Sequence, residues 1–384
     1  MTVAIVRGIQ RALAKEHLSR AEMAEIIGQI MDGQATSAQI GGFLVALRAK
    51  GEAVDELVGA ASAMRTRALP LSAPDAARSI DTCGTGGDGA GTVNISTLAA
   101  MLIAACGGIV AKHGNRALSS KCGSADVLEA LGIAVDTEPA VVERCMKVAG
   151  IGFAFAPRFH SATRHVGGPR KELGTRTIFN LLGPLTNPAN VAHQVVGVYD
   201  RAWCRPVALA LGGLGLRRAA VVHGEGNPKM EGAGPAPAPG IDEIAVRGET
   251  FVALWDGDVV SEFLLTPRAF GLDEVDPAGL AGGDATFNAS VLRKVLAGHQ
   301  IDHGERLEAV LHASAMTAAL GLELLERSFE RGRLPAQYKR AVESIRSGAA
   351  RLVLHKWREV SQAAADISVD DLAQLTPAEF AGVE

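Results

Sequence analysis

The sequence predicts an α/β protein: a small N-terminal α-helical domain beside a large α/β domain with a central, mostly parallel sheet. Three observations predict it. Residues 3 to 68 read as helices only, with apolar residues at three- and four-residue spacing. LPLSAPDA, residues 69 to 76, has the composition of a linker. Beyond it the short apolar runs GGIVA, GIGFAFAP, QVVGVYD and RAAVVH alternate with helical segments, the pattern of a parallel sheet with crossover helices. A chain of 384 residues is long for one simple core and suits two domains.

The elements follow in order. Ser19 and Glu22 form an S-x-x-E capping box ahead of AEMAEIIGQIM. Ser37 is expected to cap SAQIGGFLVALRAKG, which stops at Gly51. A third helix runs through EAVDELVGAASAMRTRA. The short apolar stretch around Gly41, Gly42 and Phe43 can pack against a second copy of itself or within its own domain. EGNPKMEGAGPAPAP, residues 225 to 239, is dominated by Gly, Pro and Ala and is expected to be a mobile surface loop.

Composition removes several function classes. Apolar residues at 48% and charged residues at 21% are an ordinary globular balance, so extensive disorder is not expected. The net charge of −4 and the 4% aromatic content argue against a general nucleic-acid or anionic-membrane binder. Cys83, Cys106, Cys122, Cys145 and Cys204 show neither a CxxC pair nor a His-Cys metal spacing, which fits reduced thiols in a cytoplasmic protein. The N-terminus is charged throughout and lacks a signal-peptide core. No run reaches 18 uninterrupted apolar residues, so no membrane span is expected.

The chemistry begins at Asp81-Thr-Cys-Gly-Thr-Gly-Gly-Asp-Gly89. Gly84, Gly86 and Gly89 match G-x-G-x-x-G in form. The acidic residue that a dinucleotide ribose needs about 20 positions on is missing from IAACGGIV, and there is no Gly-Lys-Ser/Thr of a P-loop. What remains is a turn with bare amides, followed by Asn94-Ile-Ser-Thr97 opening the helix TLAAMLIAACG. Free amides and partial positive charge at a helix N-terminus receive phosphate or diphosphate. A second polar turn, Lys112-His-Gly-Asn115, follows GGIVA at the carboxyl end of a strand, where open α/β sheets bind ligands. Lys112 is expected to meet a phosphate as a point charge. Ser119, Ser120, Lys121 and Ser124 come next. Between Arg158 and Arg176 lies a basic segment from which Arg170 can clamp a carboxylate in a bidentate pair.

Taken together, DTCGTGGDG, NIST, KHGNRALSSKCGSAD and GTRTIFNLLGPLTNP resemble the anthranilate phosphoribosyltransferase family, in that family's order and over most of the chain. The sister pyrimidine nucleoside phosphorylases carry Lys-His-Ser-Thr-Gly-Gly where this chain has Lys112-His-Gly-Asn115. The resemblance implies a helical domain of residues 1–72 with a segment near 175–190, an α/β catalytic domain of 77–360, and a C-terminal extension of 361–384. It implies a homodimer through the helical domain. It implies a phosphoribosyl diphosphate site at Gly84, Gly87, Asp88, Thr92, Asn94, Ile95, Ser96, Thr97, Lys112, His113, Gly114, Asn115, Arg116, Ala117, Leu118, Ser119, Ser120 and Ser124, with charge stabilisation by Lys112 and Asp88. Anthranilate contacts fall on Gly84, Asn115 and Arg170. Mg2+ is the implied cofactor, held by Ser96, Asp242 and Glu243, hard oxygen donors of the kind that ion takes beside substrate phosphates.

The chain departs from the family in two places. Gly168-Pro169 precedes Arg170 where Pro-Val is usual, and is expected to leave the chain there freer and kinked. The 225–239 segment separates Gly224 from Asp242, which the family keeps close together. Both changes touch the acceptor and metal sides, so transfer to another aromatic acceptor is the main alternative. A nucleic-acid-binding relative without activity is the second. It would need the glycine turn to be lost, and the turn is present.

Overall fold

The computed structural model describes residues 3–117, 121–226, 240–298 and 305–363. The helical region opens the chain with Val3–Leu13, Arg20–Met31, Ser37–Lys50 and Val54–Arg65. The Ser19–Glu22 capping box is present as expected. The cap of the third helix is Thr36, not Ser37: Thr36 accepts the Gln39 N–H while Gln39 reaches back to the Thr36 N–H. Ser37 is the first helical residue, because the QATSAQ run offers an S/T-x-x-Q box one position earlier than expected.

A seven-stranded sheet forms the second region: β1 (Ser79–Gly84), β2 (Ile109–Gly114), β3 (Ile151–Phe155), β4 (His193–Gly197), β5 (Arg218–Gly224), β6 (Thr250–Trp255) and β7 (Val260–Leu265), in the order β3-β2-β1-β4-β5-β6-β7. Neighbours from β3 to β5 are parallel, and β6 and β7 are antiparallel. The four apolar runs read from sequence are β2 to β5. The sequence reading missed β1, whose last four residues, Asp81 to Gly84, belong to the glycine motif, and the β6–β7 hairpin around Asp256-Gly257, where Gly257 has φ 86°. The chain leaves β1 toward β2 and β3, then returns to β4 on the other side. This strand-order reversal opens a crevice at the carboxyl ends of β1 and β4.

Two large apolar clusters hold the molecule. One joins the sheet's outer face to Ile95–Ala105 and Glu305–Leu324. The latter is long and apolar enough to cross a membrane by composition alone, but its apolar stretch is 89% buried inside the protein, so it is a core helix. The other cluster joins the N-terminal helices to Val166, Ile178, Phe179, Leu181, Leu182 and Leu185 and to one face of β4 and β5. Residues near 175–190 thus pack with the N-terminal helices. The last described helix, Ala349–Gln362, runs two residues past the expected boundary at 360, and residues 364–384 lie outside the described residues, as do 227–239 of the expected loop.

Candidate active site

The β1–β4 crevice holds a cleft of about 310 Å³. Its first wall is the glycine turn. Gly86, Gly87, Gly89 and Gly91 all have positive φ, which side chains rarely adopt, so the turn folds back tightly with little side-chain bulk in the way. Asp88 Oδ1 accepts the Ala90 N–H at 3.1 Å and Oδ2 accepts the Asp242 N–H at 3.2 Å, tying the turn to a distant segment.

Asp242 reaches the turn because the long 225–239 segment is stitched at its base. Gly224 N–H donates to Ile241 O at 3.0 Å, and Ile241 N–H donates back to Gly224 O at 2.9 Å. This one antiparallel bridge returns the chain to the end of β5 and brings Asp242 over β1. The fit requires glycine: a Cβ at Gly84 would stand 2.3 Å from Asp242 Oδ2, and one at Gly197 would stand 1.6 Å from Asp242 O. Asp242 Oδ2 accepts the Gly86 N–H at 2.7 Å.

The acids are held against their preference. Burial, then the nearby Asp88, pushes Asp242 up to about 8. Burial and Asp242 raise Glu243 well above the carboxylate range, and Lys112 and the Ser96 N–H only partly oppose this. Two buried carboxylates with too little counter-charge form a donor set that a hard divalent cation would satisfy. Among the described residues no three His, Cys, Asp or Glu side chains could hold a metal by themselves. The pair therefore suits Mg2+ sharing its coordination with substrate oxygens and the Ser96 hydroxyl.

Lys112 lies in the floor, 1% exposed, and its Nζ donates to Thr82 O at 2.6 Å and Ser96 Oγ at 3.4 Å. It is thus an internal cation between Asp81 and Glu243, and not the free point charge expected from sequence. Burial lowers its pKa, while Asp81, Cys83 and Glu243 raise it. Asp81, fully buried, is pushed up to about 6 by burial. Its carboxylate accepts the His113 N–H at 3.3 Å and Asn187 Nδ2 at 2.8 Å. Asn187 also donates to Ala111 O at 2.7 Å. The His113 ring faces Gly183 O and His160, with ring centroids 5.1 Å apart.

Gly84, Gly87, Asp88, Thr92, Asn94, Ser96, Thr97, Lys112, His113, Gly114, Asn115, Arg116, Ala117, Ser124, Asp242 and Glu243 all line the cleft. Thr97 Oγ1 is buried there without a partner. Ile95 is fully buried in the core, so its side chain faces apolar neighbours. The Arg116 guanidinium turns outward onto Glu129, at 2.5 and 2.6 Å. Leu118, Ser119 and Ser120 lie outside the described residues. Sequence reasoning did not assign Cys83, Gly91, Lys121, Cys122, Asn180 or Gly283, which also line the cleft, or Asp81 and Asn187 beneath it. The NLLGPLTNP run was the signal for Asn180 and Asn187.

Arg170 is not among the residues lining this cleft. It lies half-buried on helix Arg164–Leu173, 5.4 Å over the Phe179 ring, with no acidic partner among the described residues, and burial lowers its pKa. Gly168 and Pro169 fall inside that helix, so the approach to Arg170 is helical and not a freer stretch of chain. Pro169 sits within the helix beside two glycines whose Cβ positions are open. Arg176, on the following turn, donates to Gly87 O and stacks 4.1 Å over Tyr199. Arg158 is engaged by Asp136 and Glu138. A larger cavity, about 560 Å³, lies beyond Thr92, but it contains neither the acid pair nor the glycine turn.

Family models match both regions: the glycosyl transferase family helical bundle domain over residues 7–68 and the a/b domain of the same family over 76–351. The chain is 49% identical over 356 residues to the anthranilate phosphoribosyltransferase of Rhizobium meliloti, covering 93% of this chain and 98% of that relative. The chain belongs to the anthranilate phosphoribosyltransferase family. It is also 46% identical over 351 residues to the Moorella thermoacetica enzyme, covering 89% of this chain and 98% of that one. Its fold matches the Thermus thermophilus anthranilate phosphoribosyltransferase with a TM-score of 0.81 at 39% identity, covering 93% of this chain and 99% of that one. The Saccharomyces cerevisiae enzyme, solved in complex with PRPP and Mg, matches at 0.80 and 25% identity, covering 95% and 99%.

Proposed function

We propose that this chain transfers the 5-phosphoribosyl group from phosphoribosyl diphosphate to the amine of anthranilate and releases diphosphate, the step that commits anthranilate to tryptophan. The observation that carries this reading is the Asp242–Glu243 pair, Asp242 half-buried and Glu243 buried, seated over the glycine turn. Mg2+, when bound there, supplies positive charge to the leaving diphosphate. The chain's own part is positioning and charge stabilisation. The 84–91 turn and the hydroxyls of Ser96 and Thr97 receive the diphosphate. Lys112 holds Ser96 in place and balances Glu243 from below. Gly84 and Asn115 in the cleft, and Arg170 on the helix outside it, are assigned to the acceptor. The bond from the anomeric carbon to the diphosphate oxygen breaks, the bond to nitrogen forms, and the amine loses a proton. The attacking amine is already nucleophilic, so no protein nucleophile is needed.

The helical unit is assigned residues 1–72 with 175–190, the catalytic unit 77–360, and the extension 361–384. Exposed Val6, Leu13 and Val45 on the first and third helices support a homodimer through the helical unit. Five free cysteines support a reducing, cytoplasmic location. Product analysis after incubation with anthranilate, phosphoribosyl diphosphate and Mg2+ tests the reading. N-(5-phosphoribosyl)anthranilate and diphosphate are expected. A chain that consumes the donor only with another aromatic acceptor would overturn the acceptor assignment.

A further inference from the structure

We infer that Asp126 is a positioning residue for the phosphoribosyl donor, because one of its carboxylate oxygens clamps together two stems, residues 115–117 and 121–124, that wall the cleft. Asp126 Oδ2 accepts the Ala117 N–H at 2.9 Å from one stem and the Gly123 N–H at 2.8 Å from the other. Oδ1 accepts Arg116 Nη1 at 3.3 Å. Stem residues on both sides, among them Asn115, Ala117, Cys122 and Ser124, line the donor cleft.

The stems approach so closely that a Cβ on Gly123 would stand 2.4 Å from Ala117 N and 2.7 Å from Asn115 O. The Ala125 N–H and Ser124 Oγ donate to Asn115 O at 3.2 and 3.3 Å, closing the same neck. Gly123 precedes helix Ser124–Ala130, so an acid at the third helical position would ordinarily bond only the cap N–H. Asp126 does that and also reaches Ala117, nine residues back, which a simple cap does not require. Its pairing with Arg116, itself bidentate on Glu129, fixes the direction in which the carboxylate points. A neck closed before the donor arrives lowers the ordering cost of binding. The consequence falls mainly on the donor, which both stems line, and less on the acceptor, which shares only Asn115 with the neck and is also assigned Arg170 on a different element.

This inference rests on the proposed transferase reading. Its test is titration calorimetry of the full chain with phosphoribosyl diphosphate and Mg2+, alongside steady-state KM values for both substrates. Asp126→Ala should weaken donor binding by about tenfold or more, the expected result of losing two charge-assisted bonds. The KM for anthranilate should rise by a clearly smaller factor than the donor's, since only Asn115 of its assigned contacts belongs to the neck. Asp126→Asn, whose amide oxygen can still accept both N–H groups, should restore most of the donor affinity. Equal donor binding by wild type and Asp126→Ala would overturn the assignment, as would a matched loss for both substrates that Asn fails to rescue. A wild-type chain that binds no donor would overturn the transferase reading along with it.

Discussion

Asp242 accepts the Gly86 N–H at 2.7 Å across 156 residues of sequence, and this contact sets the acid pair above the glycine turn. Without it the turn would be an anion site lacking a place for a metal.

The metal assignment is tested at the acids. Asp242→Asn with Glu243→Gln should remove most Mg2+-dependent activity, because neutral amides bind Mg2+ poorly. Relief of the buried repulsion should leave the melting temperature equal to or above wild type. Full turnover by the double variant at ordinary Mg2+ concentration would place the metal elsewhere.

Lys112 supports Asp81 and Glu243 from inside the floor, so its removal should be felt in stability as well as in turnover. Lys112→Met should abolish activity and destabilise by roughly 3 kcal/mol, since it leaves two buried acids facing each other without their cation. Chemical denaturation reads this directly. A variant as stable as wild type would restore the idea of a free cation waiting for phosphate.

At Arg170 the prediction concerns the acceptor. Arg170→Ala should raise the KM for anthranilate by a factor of about 10 to 150, the value of a charge-assisted bidentate contact, and leave the KM for the donor nearly unchanged. Aniline, which lacks the carboxylate, should be a poor acceptor for wild type and lose little more on this change. Equal use of aniline and anthranilate by wild type would remove the role.

Acid sensitivity should come from the buried histidines His113 and His160. Burial lowers His160 from 6.5 to about 4, and His113 beside it to about 3. Between those values and 6.5 the unfolded chain binds more protons than the folded one, so stability falls as pH falls. For His160 alone the loss between pH 6.5 and 4 is on the order of 3 kcal/mol. His160→Gln should therefore show a shallower fall in melting temperature with acid than wild type. Parallel curves would show that His160 charges freely in the folded state.

The sequence by itself determined the helical start, the parallel strands β2 to β5 and the glycine turn. These are local: a capping box, a run of β-branched residues, or four glycines in a turn act on neighbours within a few positions. Only the tertiary structure decided which side chains face the cleft. Lys112 reads as a phosphate ligand, yet it points inward because Asp81 on β1 and Glu243 from beyond β5 surround it. Arg116 reads the same way, yet Glu129 on the next helix holds it outside. The 225–239 segment reads as a displacement of the metal pair, yet two backbone bonds between Gly224 and Ile241 cancel it. In each case the deciding partner lies on another element, and pairing across a sheet depends on strand order and register, which no local pattern specifies.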